Sequence, residues 1–95
     1  IWIDPGLGFG KSVTHNLILM KQLERFVESG VPVVIGPSRK SFIGEVVSAE
    51  VSDRLSGTLA CVAQAYQAGV HMVRVHDVKA AMQLLMMLQA IKNSP

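Results

Sequence analysis

The sequence predicts an α/β fold in which parallel strands alternate with helices, and three observations predict it. Short apolar runs rich in β-branched residues recur along the chain: IWID at residues 1 to 4, VPVVIG at 31 to 36 and HMVRV at 71 to 75. Each run ends in a loop carrying Gly, Pro or charged residues. Each is then followed by a longer stretch whose apolar residues repeat at helical spacing. Strands separated by amphipathic helices build βαβ units and a parallel sheet. Three such strands alone leave open edges and an uncovered face. A (β/α)₈ barrel takes about 250 residues, so a chain of 95 supplies three of its eight units if a barrel is what it belongs to.

The elements follow in order. The first strand breaks at Pro5 and Gly6, and residues 5 to 12 form a glycine-rich loop. Leu17, Met20, Leu23 and Val27, flanked by Ile18 and Phe26, mark a helix over about 13 to 29 that Gly30 stops. After the strand at 31 to 36 and a turn at Ser38 to Lys40, a short helix is expected near 39 to 47. A longer one follows over about 53 to 68, with Leu55, Leu59, Val62 and Tyr66 on one face and Gly69 closing it. Beyond the third strand, Val78, Ala81, Leu85, Leu88 and Ile91 mark a last helix for which Asp77 is the expected N-cap.

Composition narrows the class. With 49% hydrophobic residues and a net charge of +2, the chain suits one α/β domain, and the charge is too small to argue for a nucleic-acid partner. A chain of this length buries only about 60 to 65% of its unfolded surface, so a free-standing fold is marginal. One cysteine, Cys61, excludes an internal disulfide and suits a reducing compartment such as the cytoplasm. No apolar run reaches the roughly 18 residues that span a bilayer. The chain opens on IWIDPG, without an initiator methionine or a polar lead-in, and reads as cut from something longer.

In parallel α/β architectures ligands meet the protein at the carboxyl ends of the strands. Those ends carry Asp4, then Ser38, Arg39 and Lys40, then Arg74, His76 and Asp77. A carboxylate accepts paired N–H bonds from a nitrogen-rich heterocycle edge, while Lys, Arg and His donate to phosphate or carbonyl oxygens. A ligand with such a ring at one end and phosphate at the other would use both. Each residue also has a plainer role: Asp4 as a turn former, Arg39 and Lys40 as solvated charges opening a helix, Arg74 in a structural ion pair with Asp77, His76 as a structural histidine. Their shared rim favours the site.

Other features do not carry chemistry on their own. GLGFGKS lacks Walker spacing, because Gly6 and Gly10 have three residues between them rather than four, and Lys11 and Val13 stand where a dinucleotide loop needs its third glycine. The loop's one large side chain, Phe9, is suited to cover a ring. His15 is expected exposed, Cys61 a buried small residue, and Met82, Met86 and Met87 core or subunit contact. No His, Cys, Asp and Glu set has metal-ligand spacing.

Four blocks together, DPGLGFGK at 4 to 11, GPSRKSFIG at 36 to 44, RLSGTLA at 54 to 60 and RVHDV at 74 to 78, resemble in order and spacing the C-terminal portion of dihydropteroate synthase. The resemblance covers nearly the whole chain and implies the last three βα units of that family's (β/α)₈ barrel. It implies a transferase of folate synthesis that joins 6-hydroxymethyl-7,8-dihydropterin diphosphate to 4-aminobenzoate and releases diphosphate with Mg²⁺ assistance. Sulfonamides compete for the aminobenzoate place. Carried onto these residues, Asp4 pairs with the pterin's amino-pyrimidine edge and Lys40 bonds to the pterin ring. Arg74 stacks on the pterin and reaches the diphosphate, which His76 also holds. Phe9 and Ser38 lie by the aminobenzoate, and Gly36 lets the ring approach the strand end. The family is usually dimeric, so a homodimer is implied.

The implied chemistry agrees with the residues. Departure of diphosphate leaves a resonance-stabilised cation at the pterin methylene, which donors to the leaving group assist and which the arylamine then attacks. The family's other five units and their mobile loops are not in this sequence, so the chain alone is expected to form no pteroate. Two other readings compete. A pterin-barrel methyltransferase shares the strand-end Asp and the pterin pocket but gives no reason for adjacent Arg39 and Lys40 or for RVHDV. A non-catalytic barrel piece that oligomerises would use its open edges and its Met/Leu-rich last helix.

Overall fold

A computed structural model describes residues 4 to 6, 12 to 37 and 40 to 95. The order of elements is α1 (Val13–Lys21), α2 (Leu23–Val27), β1 (Val34–Ile35), α3 (Ser41–Val47), a 3₁₀ turn (Val51–Asp53), α4 (Leu55–Ala68), β2 (Met72–Val73) and α5 (Val78–Lys92). The strands pair in parallel, Val34 opposite Met72 and Ile35 opposite Val73, across a crossover that holds α3 and α4. This is the βαβ rhythm the sequence predicts. The first expected strand lies outside the described residues apart from Asp4, which stands in a turn.

Val33, Val34 and Ile35 are all buried, as a parallel strand covered on both faces requires. The core gathers Met20, Leu23, Val33, Ile35, Phe42, Ile43 and Ala65 from α1, α2, α3 and α4 around that strand. By contrast, in β2 Met72 is exposed and Val73 only half-buried. Both strands are shorter than the runs 31 to 36 and 71 to 75. At one end the Val33 carbonyl accepts from both His71 and Met72 (3.0 and 3.2 Å), and at the other the ladder closes with Arg74 N–H donating to the Ile35 carbonyl (2.8 Å).

The helix expected over 13 to 29 is two helices. Gln22 leaves helical geometry (φ −103°, ψ 14°), and its N–H is shared between the carbonyls of Ile18 and Leu19 at 3.0 and 3.2 Å. The inward face of α1 is also not the one expected. Asn16 and Met20 are buried while Leu17 and Ile18 are exposed, so the core stripe runs Val13, Asn16, Met20, Leu23, Val27. A polar residue stands where an apolar one marks the face, and it is tolerated because the Asn16 amide donates to the Ser12 carbonyl (3.0 Å). Ser12 itself is the N-cap, its hydroxyl accepting from the His15 N–H at 3.2 Å; His15 is exposed.

Gly69 caps α4 at φ +86°, the left-handed conformation that glycine takes without penalty, whereas α2 ends at Val27 with Glu28 as its C-cap, and Gly30, expected to stop the helix, takes φ +84° in the turn beyond it. Asp77 does stand at the N-cap position of α5, but its side chain makes no capping hydrogen bond. α5 packs on α4 through Ala81, with Leu84, Leu85 and Leu88 half-buried. Val78 and Ile91, expected on the packed face, are exposed, as are Met82, Met86 and Met87, so the methionines are not core. Cys61 is partly buried, and that burial pushes its thiol up to about 11.

The crossover packs tightly at two glycines. A Cβ on Gly57 of α4 would overlap Ile43 Cγ2, so α3 approaches α4 closely only because Gly57 has no side chain. A Cβ on Gly44 of α3 would overlap the Arg54 guanidinium. Neither glycine needs a positive φ; both are places of close approach.

Candidate functional site

Asp4 and Arg74 are seventy positions apart in the sequence and meet at the carboxyl end of the sheet. Arg74 Nη2 donates to Asp4 Oδ2 at 2.8 Å. The other oxygen, Oδ1, accepts the Gly6 N–H at 2.9 Å, closing a turn in which Gly6 takes φ +79°. Asp4 is therefore both turn former and rim carboxylate, with one oxygen given to each task. The ion pair foreseen for Arg74 is made with Asp4 rather than with Asp77.

The strand register explains where the guanidinium lies. One step beyond the Ile35 and Val73 pair stand Gly36 and Arg74. A Cβ on Gly36 would sit 3.2 Å from Arg74 Nη2 and 3.3 Å from Nε. The missing side chain lets the guanidinium rest over the end of β1, which brings Arg74 back toward Asp4. The two side chains remain 60% and 32% accessible. An exposed pair of this kind contributes roughly 0 to 1 kcal/mol, too little to account for charges at the mouth of an apolar sheet.

The remaining rim residues leave the same strand ends. Lys40 follows β1 as the N-cap of α3, in extended conformation (φ −65°, ψ 149°), half-buried, with its N–H donating to the Pro37 carbonyl at 3.3 Å. A cation at a helix N-terminus opposes the helix dipole, which again argues for a task other than stability. His76 is exposed in the link between β2 and α5. Phe9, Ser38 and Arg39 lie outside the described residues. The structure thus joins Asp4, Gly36 and Arg74 in direct contact and sets Lys40 and His76 on the adjoining connections.

Chemically, this rim offers a carboxylate acceptor, a planar guanidinium with several donors, an ammonium and an imidazole over a glycine floor. Among the described residues no three His, Cys, Asp or Glu side chains converge as a metal site would need. Among them also, no helix is long and apolar enough to cross a membrane. Reasoning from sequence missed Ser12 and Asn16, whose only signal was a Ser before a helical run. It also gave no role to Gly44, Arg54 and Gly57, although all three lie in the quoted blocks.

The model of a family described as pterin binding enzyme matches residues 1–76. The dihydropteroate synthase of Escherichia coli (strain K12) is 43% identical over 88 residues, covering 93% of this chain and 31% of that protein. The inactive dihydropteroate synthase 2 of Mycobacterium leprae is 39% identical over 94 residues, covering 99% of this chain and 32% of that protein. The solved structures of the Xanthomonas albilineans dihydropteroate synthase with 7,8-dihydropteroate and with 4-aminobenzoic acid match at 44% identity and a TM-score of 0.95. They cover 99% of this chain, and 36% and 35% of those chains. The chain spans about a third of the length of these relatives. Its fold class is that of three βα units, the last three, of a (β/α)₈ barrel.

Proposed function

The chain belongs to the family of pterin-binding enzymes, and on that premise we propose that it supplies the last three βα units of a dihydropteroate synthase. Residues 1 to 95 are then the C-terminal part of a single barrel domain. Its substrates are 6-hydroxymethyl-7,8-dihydropterin diphosphate and 4-aminobenzoate, and its products 7,8-dihydropteroate and diphosphate. The observation that carries the reading is the contact of Arg74 with Asp4 over Gly36. It gathers, at one strand end, an acceptor for the pterin's amino-pyrimidine edge and a guanidinium for its face and its diphosphate.

Seating the pterin edge on Asp4 replaces the hydrogen bond from Arg74 at Oδ2. The guanidinium, released from the carboxylate, stacks on the pterin ring and donates to the diphosphate, with His76 donating beside it. Lys40 bonds to the ring from the N-cap of α3, and Phe9 and Ser38 border the aminobenzoate. As the bond from methylene carbon to diphosphate oxygen breaks, its electron pair leaves with the diphosphate, and Arg74 and His76 stabilise the growing negative charge. The amine of the aminobenzoate gives its lone pair to the methylene carbon and then loses a proton. Positioning does the rest.

The family resemblance implies that Mg²⁺ would assist diphosphate release; among the described residues no set of His, Cys, Asp and Glu side chains converges to hold it. A cytoplasmic homodimer, supported by the family resemblance and the single free cysteine, completes the proposal. An inactive synthase is 39% identical to this chain, so likeness does not carry activity and turnover has to be measured. In a protein of the relatives' length that contains this chain, Lys40→Ala lowers pteroate formation from labelled aminobenzoate by about 100-fold or more. A near wild-type rate removes Lys40 from the site. Diphosphate should also tighten pterin binding; no such coupling would point to the methyltransferase reading.

A further inference from the structure

We propose that Arg54 is a positioning residue for Lys40, acting through helix α3; the inference rests on the placement of Lys40 at the pterin subsite. A helix of seven residues is far below the roughly 12 to 15 that hold together unaided, so contacts with its neighbours decide where α3 sits. Two such contacts do so. Ile43 fills the notch at Gly57, which sets how closely α3 approaches α4. The Arg54 guanidinium lies on Gly44, in space that any β-carbon there would take.

Arg54 also closes the far end of α3. Ser48 turns left-handed (φ 56°), and the Ala49 N–H then reaches back to the Gly44 carbonyl at 3.0 Å. The Ala49 carbonyl in turn accepts Arg54 Nε–H at 3.0 Å. Guanidinium, Ala49 peptide and Gly44 thus form one closed brace around the last turn of α3. A cation at a helix C-terminus is favourably placed against the dipole, so the brace stabilises the helix it grips. The backbone of Arg54 opens α4, its carbonyl accepting the Thr58 N–H at 2.9 Å, and α4 carries the fully buried Val62 and Ala65. Arg54 therefore ties a rigid helix to a short one that leads into the rim.

Gly44 lies four residues beyond Lys40, about 6 Å along the helix. A shift or tilt of α3 at Gly44 is passed to the Lys40 backbone with no flexible link between them. Planarity matters here. Lysine cannot lie flat over Gly44 and donate sideways to Ala49, so Arg54→Lys should not substitute for arginine.

The test is a double-mutant cycle in the complete protein, read as the dissociation constant for 6-hydroxymethyl-7,8-dihydropterin diphosphate. Arg54→Met should weaken binding about 10- to 100-fold, the scale of losing the hydrogen bond from the Lys40 ammonium. In a Lys40→Ala background it should weaken binding no further, because the residue it positions is gone. Additive losses would overturn the proposal and leave Arg54 a general stabiliser. Full binding in Arg54→Lys would overturn the planar brace. Loss of effect in Lys40→Ala itself would instead strike the reading of the pterin site, a separate failure. Should Arg54→Met not fold, Gly44→Ala, which displaces the same guanidinium from the other side, gives the same cycle.

Discussion

The two ends of the β1 and β2 pair are built from different residues and used differently. At the amino end, Val33 is fully buried and its backbone is satisfied on both sides: its carbonyl accepts from His71 and Met72, and its N–H donates to His71 Nδ1 at 3.0 Å. A histidine stands in for a strand neighbour, and the polar groups are spent on one another. At the carboxyl end, Arg74 and Asp4 meet in an exposed pair over a glycine, with Lys40 and His76 nearby in sequence. In barrel architectures the amino end serves stability and the carboxyl end chemistry. The proposed site follows the same division across one short pair of strands.

The sharpest way to break that comparison is Arg74→Ala in the complete protein. Pteroate formation should fall by about 100- to 1,000-fold, the usual cost of losing a donor to developing charge. Stability should change by no more than about 1 kcal/mol, since the pair with Asp4 is largely exposed. A destabilised protein with normal turnover would reverse the assignment of the two ends. Asp4→Asn is the milder probe. Asparagine can still accept the Gly6 N–H and keep the turn, but the charge that faces Arg74, and that is proposed to face the pterin edge, is lost. Pterin affinity should drop about tenfold, as a charge-assisted bond becomes a neutral one, and unchanged affinity by calorimetry would remove Asp4 from the site.

How much of this was legible beforehand depended on distance along the chain. The end of α4 at Gly69 could be read because the signal is local: one residue type that accepts a left-handed conformation. The rim could be read because a parallel topology sends every strand's carboxyl end the same way. The α1 face was misread because a buried Asn16 interrupts the apolar pattern, and its rescue by the Ser12 carbonyl is a fact of geometry. Asp4 and Arg74 were both named, yet their contact depends on a strand register that apolar runs of five or six residues leave open. Arg54, Gly44 and Gly57 carry no signal in the sequence, because overlap at a glycine depends on how two helices pack.

At the amino end the expected effect is smaller and of the other kind. His71→Ala takes away the acceptor of the Val33 N–H and should cost about 1 kcal/mol of stability in urea unfolding. The KM for the pterin substrate should stay as it was. A raised KM with intact stability would mean that this end of the sheet also serves the site.

The smallest effect belongs to Cys61, which sits at neither end. Its side chain borders a groove with Leu17, Phe42, Ile43 and Gly57, between α1, α3 and α4. Burial raises its thiol from 9.0 to about 11, so the fold favours the protonated form. Between those values the folded state holds a proton that the unfolded state has released. The contribution is therefore complete below about pH 9 and is lost as pH rises toward about 11. Unfolding measured at about pH 8 and about pH 10 should show wild-type protein losing more stability than Cys61→Ala, with pterin affinity unaffected by the substitution at the lower pH. Equal alkaline losses in the two proteins would mean that the thiol is not held neutral by the packing of α4. Lower pterin affinity in Cys61→Ala would mean that the groove reaches the rim through α3, and the division between a structural interior and a chemical edge would have to be drawn further from Lys40.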